Sequence, residues 1–166
     1  MKEVPLSNCQ DVVLVDDSDY ETVTQWKWYK DYQGYACRMT PLQDGKRQRL
    51  LMHRMLLGAS RGVFVDHANH NTLDNRRENI RLATPGQNQM NRRPNKVRRT
   101  KIQSRFKGIA WNPILSKWHA TIRYLGRRIS LGYHQTEELA AKAYNDGARK
   151  YFGSFAYLNP LEGETN

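Results

Sequence analysis

Residues 63–93, VFVDHANHNTLDNRRENIRLATPGQNQMNRR, decide the predicted fold of this chain. Apolar residues alternate through Val63 and Val65 and run directly into Asp66 and His67. Alternation of this kind is typical of a half-buried strand. We therefore expect a strand that ends at the Asp66 and His67 pair.

The same stretch predicts an exposed loop and a second strand after this pair. Residues 69–78 are polar and rich in turn-forming types, which favours a surface loop. Residues 79–82 alternate again, so they predict a strand with Ile80 and Leu82 directed inward.

A strong helix start follows the second strand. Thr84 can cap the helix, Pro85 suits its first position, and Gln87 completes a capping box. Asn88 then lies within the first turns of the helix. The order of strand, loop, strand and helix is a ββα arrangement.

Three side chains of this arrangement suit the hydrolysis of a phosphodiester. Asp66 offers a carboxylate and Asn88 a side-chain carbonyl, the oxygen ligands that a divalent metal ion such as Mg²⁺ or Mn²⁺ prefers. His67 can take a proton from water near neutral pH. Neighbouring strand residues point to opposite faces, so Asp66 and His67 can share one site only where the strand ends or distorts.

Other basic residues nearby have both a functional and a structural interpretation. His53 lies among apolar neighbours and is expected to be packed or hydrogen-bonded rather than a metal ligand. His70, in the polar loop, could contact phosphate or face water. Arg76, Arg77 and Arg81 could touch phosphates, and a solvated face explains them almost as well.

The net charge of +11 is concentrated in one short segment. Residues 92–105, RRPNKVRRTKIQSR, hold seven basic and no acidic side chains. A polyanion is the natural partner of such a segment, because neutralised phosphates release counterions. The alternative is a solvated tail, or a loop that adsorbs RNA nonspecifically. The candidate DNA contacts here are Asn91, Arg92, Arg93, Lys96, Arg98, Arg99 and Lys101.

The first 60 residues predict a β-rich segment. Residues 12–15 and 34–37 are short β-like runs, and 50–57 predicts a strand end that runs into a short helix, which Gly58 can stop.

Composition narrows the class of protein. No apolar run approaches the roughly 18 residues that a membrane helix needs, and the first ten residues lack the apolar stretch of a secretory signal. Cys9 and Cys37 form no CxxC pair, which argues against a zinc knuckle or a disulfide framework. We expect a cytoplasmic protein that is neither secreted nor bound to a membrane.

Residues 106–159 predict a three-stranded antiparallel sheet packed on one helix. In 118–124 one face is apolar and the other polar, Gly126 marks a tight turn, and Arg128 and Ser130 point outward on the next strand. Thr136 is expected to cap the helix. Its buried stripe is predicted to be Leu139, Ala140, Ala143, Tyr144, Ala148 and Tyr151.

The stretch VDHANHNTLDNRRENIRLATPGQNQMNRR resembles the core of HNH homing endonucleases of the phage intron type, which have a ββα-metal site. By matched position, the resemblance implies that Asp66 and Asn88 ligate the metal and that His67 is the general base. It also implies that Asn79 is the central asparagine, which braces the loop and the base. LMHRMLLG resembles the helix before this core. Asparagine replaces the final histidine of the strict pattern, as it does in the nicking phage enzymes.

The last segment resembles the plant ethylene-response-factor type (APETALA-like) DNA-binding domain. The matching pieces are KGIAW, KWHATIR, ISLGYHQTEELAAKAY and FGSFAYLN. In that family the sheet lies in the major groove, so the resemblance implies that Lys107, Arg123 and Arg128 contact DNA. Residues Ala110, Asn112 and Ser130 stand where the plant domains have arginine or tryptophan, so the plant target specificity is not expected here.

Together these patterns predict an α+β protein with three parts. Residues 1–91 hold the N-terminal β-rich segment and the nuclease core, 92–105 a basic linker, and 106–159 the DNA-binding sheet and helix. We expect a metal-dependent endonuclease that nicks or cuts double-stranded DNA, and a monomer rather than a homodimer. The alternatives are a sequence-specific DNA-binding regulator with a vestigial nuclease core, and a protein that binds or cleaves RNA.

Overall fold

The computed structural model describes residues 1–42, 45–94 and 104–161. The chain divides into two compact units, Met1–Asn88 and Gln89–Asn166. Both mix strands and helices, in keeping with the α+β class. The boundary between the two units lies within a helix, whereas the sequence predicts a boundary after residue 91. Most of the predicted linker, residues 95–103, lies outside the described residues.

The first half of unit 1 consists of short antiparallel ladders and two short helices. The ladders are β1 with β2 and the sheet β3–β4–β5. The elements are β1 (Lys2–Pro5), β2 (Val12–Val15), α1 (Asp17–Thr24), β3 (Tyr29–Lys30), β4 (Ala36–Met39), β5 (Arg49–Leu51) and α2 (Met52–Leu56). The predicted strand that runs into a short helix is therefore confirmed as β5 and α2, and Gly58 follows with a φ of 58°.

The core of unit 1 is built mainly from these first elements. Its buried members are Val4, Leu6, Val13, Val15, Val23, Trp28, Ala36 and Met52. The indole of Trp28 is 1% exposed, and its Nε1 donates a hydrogen bond to the carbonyl of Val23. The N-terminal segment therefore provides the hydrophobic support on which the rest of unit 1 depends.

The remaining elements of unit 1 follow in the predicted order of strand, loop, strand and helix. They are β6 (Phe64–His67), β7 (Ile80–Ala83), antiparallel to β6, and α3 (Pro85–Asn91), which extends into unit 2. The predicted capping box is confirmed: the amide of Gln87 donates to Thr84 Oγ1, and the amide of Thr84 donates to Gln87 Oε1.

Leu82 departs from the predicted inward orientation. Ile80 is buried, as predicted, whereas Leu82 is 51% exposed. Both residues lie on one face of the β6–β7 ribbon, because they pair with His67 and Val65. The core covers that face only near the loop end of the ribbon, and Leu82 lies beyond it.

Unit 2 contains a three-stranded antiparallel sheet and one long helix. The sheet order is β10–β9–β8, formed by β8 (Ile109–Asn112), β9 (Lys117–Tyr124) and β10 (Arg127–His134). The helix is α4 (Glu137–Phe152), and a 3₁₀ turn, Gly153–Phe155, follows it. This is the predicted arrangement for 106–159, and Thr136 caps α4 by accepting from the amide of Leu139.

Helix α4 packs on the apolar face of the sheet. The buried residues are Phe106, Ile109, Ala120, Ile122, Ala140, Ala141, Tyr144, Ala148 and Phe152. Leu139 was predicted to be buried and is 52% exposed, because the helix buries Ala140 and Ala141 in its first turns. At Gly108 a Cβ would lie 2.3 Å from the ring of Tyr144, so only glycine allows this close approach.

In the described ranges, no helix is long and apolar enough to cross a membrane.

Candidate functional site

His67 is the last residue of β6 and is 5% exposed. Its Nε2 lies 2.9 Å from Oδ1 of Asn75, a loop residue whose side chain is fully buried. The rings of His53 and Tyr35 pack against the imidazole, with centroids 5.0 Å and 5.9 Å away. The imidazole is therefore held on several sides by side chains from other parts of unit 1.

Burial keeps both histidines of this cluster in the neutral form. Burial lowers the pKa of His67, although the hydrogen bond to Asn75 and the charges of Asp66 and Asp74 oppose it. For His53, burial and the neighbouring His67 and Arg54 lower the pKa to about 3. A neutral imidazole can accept a proton, which a general base must do.

Asn79 braces the loop between β6 and β7. Its Oδ1 accepts from the amide of Asn69 at 2.9 Å, and its Nδ2 donates to the carbonyl of Asp74 at 2.7 Å. Its backbone carbonyl also accepts from the amide of Ala68. These hydrogen bonds agree with the expected bracing of the loop by Asn79. The resemblance also implies that Asn79 braces the base, whereas Nε2 of His67 lies next to Asn75.

Asp66 pairs with Arg81 on the opposite face of the ribbon from His67. The two residues are Cα partners, and the Nε and Nη2 of Arg81 lie 2.9 Å and 2.7 Å from Oδ2 of Asp66. The register stays regular through the pairing of His67 with Ile80. The expected distortion of the strand is absent from this ladder, so Asp66 and His67 flank the end of β6, one on each face.

Asn88 lies in the first turn of α3 and is partly exposed. Its amide donates to the carbonyl of Thr84, so the capping box sets the start of the helix that carries it. The predicted ligand pair of Asp66 and Asn88 would offer a metal ion one carboxylate and one amide oxygen.

The chemistry of this pair fits a hard divalent cation that completes its shell with water and phosphate oxygens. Arg81 balances the charge of Asp66, so a cation would have to share the carboxylate with Arg81 or displace it. Among the residues that the structure describes, no three His, Cys, Asp or Glu side chains are grouped to hold a metal ion.

The three arginines around the loop are engaged with carboxylates. Arg76 pairs with Asp74 and Glu78, Arg77 with Asp19, and Arg81 with Asp66, as ion pairs within 4.0 Å. Burial of Asp19, Asp66 and Asp74 makes these pairs part of the framework of unit 1. The contacts with phosphate considered from the sequence are therefore not supported for these residues.

In unit 2, two of the predicted DNA contacts lie on the open face of the sheet. Arg123 and Arg128 are Cα partners on β9 and β10, and both are exposed. Ile122 and Ile129, one position away on each strand, pair on the face that α4 covers. The arginines therefore point away from the core.

Two other predicted contacts have internal roles. Lys107 Nζ donates to the carbonyls of Gln89, Met90 and Arg92, and burial lowers its pKa to about 8. Asn91 is 3% exposed at the end of α3. Lys107 is therefore engaged within unit 2, and Asn91 is buried.

The basic segment is described only at its edges. Arg92 and Arg93 are exposed. The predicted contacts Lys96, Arg98, Arg99 and Lys101 lie outside the described residues.

Comparison with known proteins places the chain in a family. The profile of the HNH endonuclease family matches residues 55–90. A protein of Acanthamoeba polyphaga mimivirus, named as an uncharacterized HNH endonuclease, is 32% identical over 143 residues, which cover 84% of this chain and 70% of that protein. The chain belongs to the HNH endonuclease family.

A second relative of this HNH family member is Protein 3.8 of Escherichia phage T7, which is 28% identical over 96 residues, or 58% of this chain and 75% of that protein. No solved structure matches the chain. The family match runs from α2 to α3 and contains the predicted site residues Asp66, His67, Asn79 and Asn88.

Sequence analysis missed the partners of His67 in this HNH core. Asn75 was treated only as part of a polar loop, and Tyr35 was assigned only to a β-like run. His53 is packed, as predicted, but its contact with the imidazole of His67 was not foreseen. The one available signal was for Asn75, because it lies inside the stretch that resembles the family.

Proposed function

We propose that this HNH family member is a metal-dependent DNA endonuclease in which His67 is the general base. The supporting observation is a neutral, hydrogen-bonded imidazole at the end of β6, next to a carboxylate and ahead of the capped helix that carries Asn88. The homing character that the resemblance implies stays a prediction.

In this proposal each side chain has a defined task. His67 takes a proton from the attacking water, and Asn75 and Asn79 hold the imidazole and the loop. Oxygen atoms of Asp66 and Asn88 would hold a divalent cation, Mg²⁺ or Mn²⁺, which neutralises phosphate charge and stabilises the leaving oxygen.

The placement of Asp66 and His67 on opposite faces is compatible with this chemistry. In an in-line displacement, the attacking water and the leaving oxygen lie on opposite sides of the phosphorus atom. The base and the cation therefore need not touch each other. In this proposal, a phosphodiester bound at the end of β6 contacts both groups.

The metal requirement is tested by plasmid cleavage with Mg²⁺, with Mn²⁺ and with EDTA. We expect nicking or cutting only with metal, and loss of at least 100-fold in rate for Asn88→Ala. The matched control is Gln89→Ala, an exposed neighbour on the same helix, which is expected to cleave normally. Equal cleavage by Asn88→Ala and the control would reject Asn88 as a ligand.

We also propose that the open face of the unit 2 sheet binds duplex DNA. Arg123 and Arg128 stand directly opposite each other, an arrangement that destabilises a sheet through like-charge repulsion. A phosphate between them would relieve that repulsion. His119 and Tyr133 stack on the same face with ring centroids 4.2 Å apart, which adds a polar aromatic surface beside the arginines.

A second candidate function is DNA binding without cleavage. The pairing of Asp66 with Arg81 favours it, because a guanidinium already occupies the carboxylate that a metal would need. Duplex binding with no cleavage under any metal condition would support this candidate over the nuclease.

A further inference from the structure

The turn between β9 and β10 contains a leucine in a backbone conformation that leucine rarely adopts. Tyr124 and Arg127 are paired, so Leu125 and Gly126 form a two-residue turn. Their φ values are 47° and 78°, which is the pattern of a type I′ turn. Such turns favour Asn-Gly, Asp-Gly or Gly-Gly, because a positive φ brings Cβ close to the next carbonyl oxygen. The backbone therefore gives no reason for leucine at position 125.

Packing gives no reason for it either. The Leu125 side chain is 80% exposed and is not among the described apolar residues that form or line the core of unit 2. The hairpin is anchored from its inner face by Tyr124, whose ring lies 5.5 Å from that of Tyr151 and 6.3 Å from that of Phe152. Tyr124 has a structural role that Leu125 lacks.

The leucine is surrounded by positive charge. Arg123, Arg127 and Arg128 are exposed, and within the described parts of the chain none of them forms an ion pair within 4.0 Å. An apolar tip among unpaired guanidinium groups suits a partner with phosphates outside and apolar, stacked surfaces inside. Duplex DNA has this chemistry in its grooves.

We propose that Leu125 is an apolar wedge that enters a groove of duplex DNA and contacts the stacked bases, while the three arginines hold the flanking phosphates. This inference rests on the DNA binding proposed above for unit 2. An anionic membrane also has a negatively charged surface, as DNA has. One leucine side chain, however, buries too little apolar surface for stable insertion into a membrane. DNA is therefore the favoured partner.

The test compares the parent chain with Leu125→Asn. Asparagine suits the first position of a type I′ turn, so the variant is expected to fold with an equal or higher melting temperature. Duplex affinity is measured in EDTA, which prevents metal-dependent cleavage, at several salt concentrations. We expect affinity to fall about tenfold, from loss of one buried leucine side chain. The salt dependence should not change, because no charge is removed.

The matched control is Ile114→Asn. Ile114 is 91% exposed in the turn between β8 and β9, where Lys117 is the nearest basic residue in sequence. Its affinity for duplex DNA is expected to equal that of the parent. An equal loss in both variants would overturn the proposal, because the effect would not depend on the arginine-flanked turn.

A second measurement detects the wedge itself without knowledge of the target site. A plasmid is relaxed in EDTA by a metal-independent topoisomerase with saturating protein, and its linking number is then measured. The parent is expected to change the linking number, because a wedge partly unstacks and untwists the duplex, whereas Leu125→Asn is not.

Further results would also overturn the proposal. Equal duplex affinity, or an equal linking number, for the parent and Leu125→Asn rejects the wedge and leaves DNA binding by unit 2 intact. Leucine-dependent binding to phosphatidylserine vesicles with unchanged duplex affinity assigns the turn to membranes. Absence of duplex binding by the parent rejects the proposed DNA binding together with the wedge.

Discussion

At the scale of single residues, a contact with Asn75 orients the imidazole of His67. Nε2 of His67 lies 2.9 Å from Oδ1 of Asn75, whose side chain is fully buried. Burial lowers the pKa of His67, which favours the neutral ring near pH 7. Asn75 therefore supports the proposed role of His67 by holding the ring in one orientation.

Replacement of Asn75 by alanine is expected to slow cleavage about 10- to 100-fold, the usual effect of losing a partner that orients a site residue. Duplex binding should be unchanged, because the site acts on bound substrate. Single-turnover cleavage rates and duplex affinities measure the two effects separately.

Two controls distinguish this positioning role from a role in folding. Asn75→Asp keeps an acceptor oxygen and is expected to retain more activity than Asn75→Ala. The fraction of Asn75→Ala that is folded at the assay temperature should match that of the parent. A loss of folded protein as large as the loss of rate would show that Asn75 acts on the fold rather than through His67.

The sequence indicated some of these residues and not others. Asp66 and His67 were predictable because they follow an alternating strand, and Asn88 because a capping box precedes it. Asn75 and His53 were not, because their contacts with His67 depend on the path of the loop and on where α2 packs. Neither contact leaves a periodic pattern in the sequence.

At the scale of elements, the pairing of β6 with β7 places the guanidinium of Arg81 beside the carboxylate of Asp66. Arg81 is its cross-strand partner, and the Asp66 carboxylate is almost buried. Loss of the counter-charge beside a buried carboxylate is strongly destabilising. Arg81 therefore has a structural role that a bound metal ion would partly replace.

Arg81→Gln is expected to lower the stability of unit 1 by about 3 kcal/mol in EDTA. Added Mn²⁺ should raise the melting temperature of this variant more than that of the parent, since the cation then neutralises Asp66 alone. Thermal unfolding with and without Mn²⁺ measures both. The same Mn²⁺ effect on parent and variant would argue against Asp66 as a ligand.

Lys107 is expected to stabilise the end of α3 rather than to bind DNA. Its ammonium donates to the carbonyls of Gln89, Met90 and Arg92, at and just beyond the end of the helix, where a cation also suits the negative end of the helix dipole. Lys107→Met should lower stability by about 2 kcal/mol and leave the salt dependence of duplex binding unchanged. A reduced salt dependence with normal thermal stability would restore the original assignment as a phosphate contact.

The elements themselves were predictable where local chemistry is strong. The capping box of Thr84 and Gln87, the helix cap at Thr136 and the alternating strands appear as expected, whereas the burial of Leu82 and Leu139 does not. Both are apolar residues at positions consistent with a buried face, but the covering layer ends before it reaches them. Periodicity identifies a face and does not show how far the core extends along it.

At the scale of the whole molecule, the chain combines an HNH core in unit 1 with a basic sheet in unit 2. Family membership was predictable because most of the diagnostic residues lie within one continuous stretch, 65–93. The arrangement of strands and helix in unit 2 was also predictable, from alternation and one helix cap. The unit boundary inside α3 was not, because a continuous helix gives no sequence signal of division.

Separate roles for the units predict separable defects. The double variant Arg123→Ala, Arg128→Ala should bind duplex DNA more weakly. The slope of log affinity against log salt concentration should fall by about 1 for each arginine removed. Single-turnover cleavage at saturating protein should be nearly normal. A large loss of the saturated cleavage rate would contradict this division of roles.

In the proposed function, the imidazole of His67 performs the chemistry on bound DNA. Plasmid cleavage with Mg²⁺ or Mn²⁺ tests this role, at protein concentrations that give equal duplex binding for the parent, His67→Ala and the control His70→Asn. Asparagine tolerates the positive φ of position 70, so the control should fold and cleave normally. We predict that His67→Ala binds duplex DNA and does not cleave it. Metal-dependent cleavage by His67→Ala at the parent rate would contradict it.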